Sequence, residues 1–329
     1  MTNPIGAAIR GWGTAVPARR VTNDELAQTV DTNDAWIVDR TGIRERRVAG
    51  EGETTASLAI EAGAAAIKRA DLVPSQIGCC IVATCTPEQP LPATASFVQD
   101  GLGMRGAAFD LDAACAGFVT ALVVGASLIG SGAMEAVLVI GSETISRLVD
   151  WEDRSTCVLF GDGAGAVVLT PSTTPGLLAW DLGCDTSAIS LLGVRAGGSR
   201  WPIDAQAIAE RQHLIFMEGQ EVFRRAVRAL VDSAATTIDR AGLTPDDIAL
   251  FIPHQANVRI MEAAAVRLGI PMERAFVNID RYGNTSAASV PLALAEAADA
   301  GRLAPGDRVL VSGFGAGMSW ATAIVHWGA

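Results

Sequence analysis

Of the 329 residues only three are histidine, and the six cysteines include no Cys-x-x-Cys pair. Their positions (79, 80, 85, 115, 157 and 184) fit neither a zinc site nor a disulfide framework, so no metal and reduced thiols are expected. Positive charge is also short: 25 Lys and Arg face 36 Asp and Glu, a net charge of −11. That balance excludes nucleic acid as a principal partner, which requires a basic face, although a local basic patch is compatible with it. The first residues, "MTNPIGAAIRGWG", lack a basic segment followed by an apolar one, so no secretory leader is expected and a cytoplasmic location is. One charge-free stretch, 116–134, is interrupted by Gly117, Gly125, Gly130 and Gly132 and has no basic or aromatic anchors. It reads as a buried helix, not a membrane span. Three glycine runs, "GLGMRG" (101–106), "GDGAG" (161–165) and "GFGAG" (313–317), lead into strand-like segments. A dinucleotide site needs a helix after its glycines, which excludes hydride transfer with a nicotinamide and a nucleotide-binding regulator.

What the chain does have is a repeat. "AAIKRADLVPSQIGCCIVATC" (65–85) is echoed by "TTIDRAGLTPDDIALFIPHQ" (236–255), each a helix, a Leu-x-Pro turn and an apolar run. "AAFDLDAACAGFVTALVVGASLI" (107–129) is echoed by "AFVNIDRYGNTSAASVPLALAEA" (275–297), and "AVLVIGSE" (136–143) by "RVLVSGFG" (308–315). Two α/β halves of order βαβαβαββ follow, at 1–172 and 173–329, with strands apolar enough to be covered on both faces. Two sheets sharing central buried helices make a five-layer αβαβα body. In that arrangement Cys115 and Asn284 fall at matching turns before buried helices, and His254 ends a strand of the second half.

These three residues have both structural and chemical readings. Cys115 starts a helix among small residues, where amide donors favour thiolate; its bland reading is a small buried hydrophobe, which suits Cys79, Cys80, Cys157 and Cys184. His254 joins a strand end to the amphipathic "HQANVRIMEAAAVRLG", a position where α/β proteins gather functional groups. His213 and His326 read as structural or solvated. Asn284 in "GNTSAAS" is either a helix cap or an amide donor to a substrate carbonyl. The amides of "GFGAG" suit an oxyanion hole.

Seven segments, "TNDAWIVDRTGIRERR" (32–47), "DAACAGF" (112–118), "DRSTCVLFGDGAGAVVL" (153–169), "MEGQEVF" (217–223), "PHQANVRI" (253–260), "GNTSAASVPLAL" (283–294) and "GFGAGMSW" (313–320), together resemble the β-ketoacyl-[acyl carrier protein] synthase III family. The resemblance runs end to end and implies the duplicated thiolase-like fold. It further implies decarboxylative Claisen condensation of an acyl-CoA primer with malonyl-acyl carrier protein, through an acyl group on Cys115, to initiate fatty acid synthesis. His254 and Asn284 would bind the malonyl thioester carbonyl, and the Cys115 and Ala316 amides would form the oxyanion hole. Trp36 and Arg154 would sandwich the CoA adenine, Arg40 would lie near its phosphates, and Asn257 and Phe223 would contact pantetheine. Arg224, Arg259 and Arg267 would dock the acidic carrier protein, with a solvated helix face as their bland reading. Acyl-CoA is then a substrate, no cofactor is permanently bound, and a homodimer is expected.

Some positions depart from the family pattern. The loop 86–97 is longer than in some relatives, and Leu91 falls near a phenylalanine that reaches the partner's acyl pocket. Ala316 replaces a common glycine, and Gln220 a common asparagine. Cys85 stands where hydroxymethylglutaryl-CoA synthases need a glutamate, and Cys115 argues against a non-catalytic chain-length-factor role. A specialised condensing enzyme or acyltransferase of polyketide or other secondary metabolism is the alternative reading.

Overall fold

The computed structural model describes residues 5–328. Two sheets form its frame, and their strands are numbered here in chain order. The first sheet holds β1 (Ala7–Ala15), β2 (Cys79–Ala83), β3 (Ala107–Leu111), β4 (Val137–Glu143) and β5 (Gly163–Pro171), in the order β1-β5-β4-β2-β3. The second holds β6 (Leu177–Cys184), β7 (Leu250–Pro253), β8 (Arg308–Gly315) and β9 (Ser319–His326), in the order β7-β8-β9-β6. The pairings match: β2 runs parallel to β4 as β7 does to β8, and β4–β5 and β8–β9 are antiparallel.

The helices make the other layers. Helices α1 (Asp34–Thr41), α2 (Thr55–Arg69), α3 (Thr94–Leu102) and α4 (Gly117–Gly130) belong to the first half; α5 (Gly219–Arg240), α6 (Val258–Leu268) and α7 (Ser289–Asp299) belong to the second. α2 and α3 pack on the outer face of the first sheet, and α5 and α6 on the outer face of the second. α4 and α7 lie between the sheets in one shared core, with Phe118, Leu122, Val290 and Leu294 almost wholly buried. Both helices are apolar nearly all round because both of their faces meet a sheet. No described helix is long and apolar enough to cross a membrane.

The central helices sit close because the strands beneath them lack side chains where they cross. A Cβ on Gly165 of β5 would lie 2.7 Å from the Leu292 nitrogen, and one on Gly141 of β4 would lie 2.3 Å from the Ala287 oxygen. The related crossing in the other half has the same form: a Cβ on Gly313 of β8 would come within 2.9 Å of the Cys115 oxygen.

In one place the repeat is incomplete. The echo at 275–297 implies a strand at its start as the partner of β7, but only a single bridge, Phe251 with Ala275, is present. The Gln255 side chain takes over the pairing. Its Nε2 donates to the Pro253 and Phe276 carbonyls at 2.8 and 3.1 Å, and its Oε1 accepts from the Asn278 amide at 3.0 Å. The chain then turns into a short helix, Ile279–Tyr282. The expected burial of Cys184 also fails. It is exposed at the end of β6, the edge strand of its sheet, whereas Cys79, Cys80 and Cys157 are buried.

Gly141→Ala is expected to destabilise the fold by about 1–3 kcal/mol, because backbone and not a flexible side chain must move. Urea unfolding followed by circular dichroism measures this, and an unchanged midpoint would contradict the close crossing.

Candidate active site

Two turns built alike face the same cavity. Asp112 Oδ1 accepts the Ala114 amide at 2.9 Å, and Asn284 Oδ1 accepts the Ser286 amide at 2.9 Å. Ala114 and Ser286 both adopt φ 49°, and each turn runs through a short 3-10 segment into its buried helix, α4 or α7. The repeat therefore aligns Asn284 with Asp112, and Cys115 with Ala287. Both sequence readings of Asn284 hold together. Its oxygen caps the turn, and its Nδ2 makes no hydrogen bond among the described residues, which leaves a donor available.

The Asn284 backbone is fixed as well. Its amide donates to the Leu159 carbonyl at 2.8 Å, and its carbonyl accepts from Gly161 at 3.0 Å. Gly283, at φ +66, lets the chain pass close to Leu159. Gly315 does the same for the cysteine, since a Cβ there would lie 2.5 Å from the Cys115 nitrogen. The amides of Cys115 and Ala316 have no hydrogen-bond acceptor among the described residues.

The cavity measures about 1100 Å³ and is lined by Cys115, His254, Asn284 and Ala316, and also by Cys85, Ser286, Phe223 and Asn257. His254 is buried, with its ring edge against Phe314 at 5.3 Å. Burial lowers its pKa from 6.5 to about 3, so the imidazole is neutral near pH 7. Its Nδ1 is buried without a partner. We assign the proton to Nε2, because an unpaired lone pair costs less than an unpaired N–H.

At Cys115 burial works against the helix start that favours thiolate. Burial pushes the thiol up to about 12; the Ser286 hydroxyl lowers it by hydrogen bonding, and the charge of Glu143 raises it again. Desolvation favours the thiol over the thiolate here.

The remaining expected residues divide into groups. Phe223 and Asn257 line the cavity, but the Asn257 side chain is already engaged: Oδ1 accepts from Arg259 N at 2.9 Å and Nδ2 donates to the Arg40 carbonyl at 3.0 Å. Trp36 and Arg154 lie outside that lining and stack directly on each other, the guanidinium 4.9 Å from the ring centroid, where a gap for a base is expected. Arg40 and Arg259 are exposed and share Asp39, at 3.7 and 3.1 Å. Arg224 pairs with Glu221, and Arg267 is exposed with no ion pair among the described residues. Leu91 lies outside its own chain's cavity and is 83% exposed.

Sequence reasoning missed several residues of the site. Glu143 is wholly buried at the end of β4, and the signal was an acidic residue closing an otherwise apolar strand, "AVLVIGSE". Ser286 lies in the quoted "GNTSAAS" but was given no role. Arg195, Arg200, Trp201 and Phe216 also line the cavity, from a stretch with no internal repeat to mark it.

Fold and cavity together are those of the thiolase-like, acyl-transferring condensing enzymes, and relatives narrow this further. Sequence profiles for 3-oxoacyl-[acyl-carrier-protein] synthase III and for its C-terminal region match residues 109–186 and 238–327. A beta-ketoacyl-[acyl-carrier-protein] synthase III of Roseiflexus sp. (strain RS-1) is 54% identical over 98% of each chain. The crystal structure of 3-oxoacyl-[acyl-carrier-protein] synthase III from Aquifex aeolicus VF5 superposes with a TM-score of 0.91 at 44% identity, covering 98% of this chain and 100% of that one. The priming beta-ketosynthase of the R1128 polyketide pathway superposes with a TM-score of 0.91 at 36% identity, covering 99% and 98%. The chain belongs to the 3-oxoacyl-[acyl-carrier-protein] synthase III family.

The depressed pKa of His254 has a consequence for stability. Between about 3 and 6.5 the unfolded chain binds a proton there that the folded chain does not. The stability contributed by the neutral imidazole is thus complete above pH 6.5 and declines as pH falls toward 3. Denaturant unfolding from pH 4 to 7 is expected to show a shallower decline in His254→Gln than in the parent; equal slopes would refute the assignment.

Proposed function

We propose that this chain transfers an acyl group from acyl-CoA to Cys115 and condenses it with malonyl-acyl carrier protein, initiating fatty acid synthesis. The observation that carries this reading is the meeting of Cys115, His254 and Asn284 on one cavity, beside the free amides of Cys115 and Ala316.

In the first step the Cys115 sulfur attacks the thioester carbonyl. The developing oxyanion takes the Cys115 and Ala316 amides, CoA leaves, and the acyl group stays on sulfur. In the second step the malonyl carbon–carbon bond breaks and CO₂ departs. The electron pair moves onto the thioester oxygen, where His254 Nε2–H and the Asn284 amide donate to it. A neutral imidazole suits that work, because the charge appears only as CO₂ leaves and the donors are fixed beforehand. The carbanion then attacks the acyl carbon and releases Cys115. All of this proceeds without a permanently bound cofactor.

For the substrates, Trp36 and Arg154 would exchange their mutual stacking for an adenine between them, with Arg40 near the phosphates. Phe223 and Asn257 would guide pantetheine, and Arg224, Arg259 and Arg267 would meet the acidic carrier protein. A homodimer joined along β3 is part of the reading. That edge strand lacks a neighbour on one side, Phe109 on it is 36% exposed, and Leu91 projects so as to reach a partner's acyl pocket. A cytoplasmic location follows from the substrates. The 54% identity to a beta-ketoacyl-[acyl-carrier-protein] synthase III, against 36% to a polyketide priming enzyme, favours this reading over a specialised one.

Cys115→Ala is expected to abolish the acyl mass added by acetyl-CoA, as read by intact-protein mass spectrometry. His254→Ala and Asn284→Ala should still acylate, yet lose on the order of a hundredfold in CO₂ release from malonyl thioester. Full condensation by Cys115→Ala would overturn the mechanism.

A further inference from the structure

The largest side chain that the fold buries completely is a cation, Arg46. It lies on the short strand Glu45–Arg47, which pairs with Arg20–Thr22 outside the two main sheets. No carboxylate pairs with it among the described residues. Three neutral acceptors meet its guanidinium instead. Nη1 donates to the Val21 carbonyl at 3.2 Å and to Asn23 Oδ1 at 2.9 Å, and Nη2 donates to the Val158 carbonyl at 2.8 Å. Nε is buried without a partner. Apolar side chains of similar volume fill such a space at less cost, because a buried charge gives up its hydration. The value of an arginine here lies in what its planar fork holds in place.

What it holds is the segment on which Asn284 rests. Val158 ends the short helix Arg154–Cys157, and the three residues after it form a cradle. The Leu159 carbonyl accepts the Asn284 amide at 2.8 Å, the Gly161 amide donates to the Asn284 carbonyl at 3.0 Å, and Phe160 bridges to Asn284 as a parallel strand would. Arg46 lies directly beneath both glycines of this crossing. A Cβ on Gly161 would come within 3.0 Å of the Arg46 Cβ, and one on Gly283 within 3.3 Å. The backbone around Arg46 is tied to the same two segments: the Arg44 amide donates to the Asp280 carbonyl at 3.0 Å, and the Asp162 amide to the Arg47 carbonyl at 2.8 Å. On the far side Asn23 extends the anchorage to α1, its Nδ2 donating to Asp34 Oδ1 at 2.9 Å and to the Ile43 carbonyl at 2.7 Å.

Cys115 is seated by other means. Its turn rests on Gly313 and Gly315 of β8, and no hydrogen bond of Arg46 reaches β8 or α4. The nucleophile and the Asn284 donor therefore have separate supports, and only one of them contains Arg46.

We propose that Arg46 is the positioning residue for Asn284: through Val158 it fixes the Leu159–Gly161 cradle, and with it the aim of the Asn284 Nδ2 donor at the malonyl thioester carbonyl. This rests on Asn284 being that donor. Arg46 itself is no part of the cavity lining and touches no substrate.

Two substitutions test this. Arg46→Lys keeps the charge, but a single ammonium cannot span all three acceptors; Arg46→Met removes the charge and keeps much of the length. The measurements are steady-state CO₂ release from malonyl thioester, single-turnover acetyl transfer to Cys115 read by intact mass, and the urea midpoint. In both variants kcat for CO₂ release is expected to fall on the order of tenfold to a hundredfold with KM within about threefold of the parent, because the donor is displaced and not removed. Acetyl transfer should stay within about threefold. Combined with Asn284→Ala, Arg46→Lys should add less than about a threefold further loss, since there is no donor left to aim. Equal losses in the two half-reactions, or losses that multiply in the double variant, would overturn the positioning role. So would the failure of both single variants to fold, which would make Arg46 a support of the whole fold. Asn284→Ala alone separates the two levels: CO₂ release at the parent rate refutes the donor itself, whereas a loss there with none in Arg46→Lys refutes only the role of Arg46.

Discussion

Backbone meets backbone at the centre of this molecule. The ends of β4 and β8 carry glycine where the opposite half's turn crosses them, Gly141 beneath Ala287 and Gly313 beneath Cys115, with Gly315 against the Cys115 nitrogen. Side chains at these points would hold the two halves apart, and the cavity would lose the register between its cysteine and its asparagine. Because the contact is made by main chain, it tolerates little movement. The turns inherit the rigidity of the sheets, and the donors stay aimed with no substrate present.

Burial then sets the charge state of each group. It lifts the Cys115 thiol to about 12 and drops the His254 imidazole to about 3, so the two that face the cavity rest neutral. Glu143 lies one layer deeper, within a shell of donors that offset the burial raising its pKa. With both reactive groups neutral, charge arises on them only where a bond is breaking. The outside of the molecule is arranged differently. Its net charge is −11, yet Arg40 and Arg259 cluster with Asp39 beside the start of α6, and such exposed pairs exchange partners at little cost.

Much of this was legible in the chain, because duplication writes the same pattern twice. The alternation of helix and apolar run, the two Leu-x-Pro turns, and the small residues around Cys115 and Asn284 located the turns. His254 stood out because histidine is scarce. The rest depended on relations between distant residues, which no local pattern carries. Gln255 replaces a whole strand pairing through three side-chain hydrogen bonds, and nothing in "PHQANV" announces that. The helix start at Cys115 is visible in sequence, whereas the depth at which the sulfur sits, which raises its pKa, is not. The direct stacking of Trp36 on Arg154 is a contact between segments more than a hundred positions apart, which spacing does not reveal.

The Asp112–Ala114 and Asn284–Ser286 turns are the same object built twice, and only one of them is furnished with a reactive side chain. At the second, Ala287 stands where the first has Cys115, and the Glu143 carboxylate lies 3.5 Å from its amide. Glu143 occupies in its half the strand position that Gly315 holds in the other. The amide in the second turn thus meets the protein's own carboxylate, while the Cys115 amide has no acceptor among the described residues. The second turn instead lends Asn284 and Ser286 to the wall of the cavity it shares with Cys115.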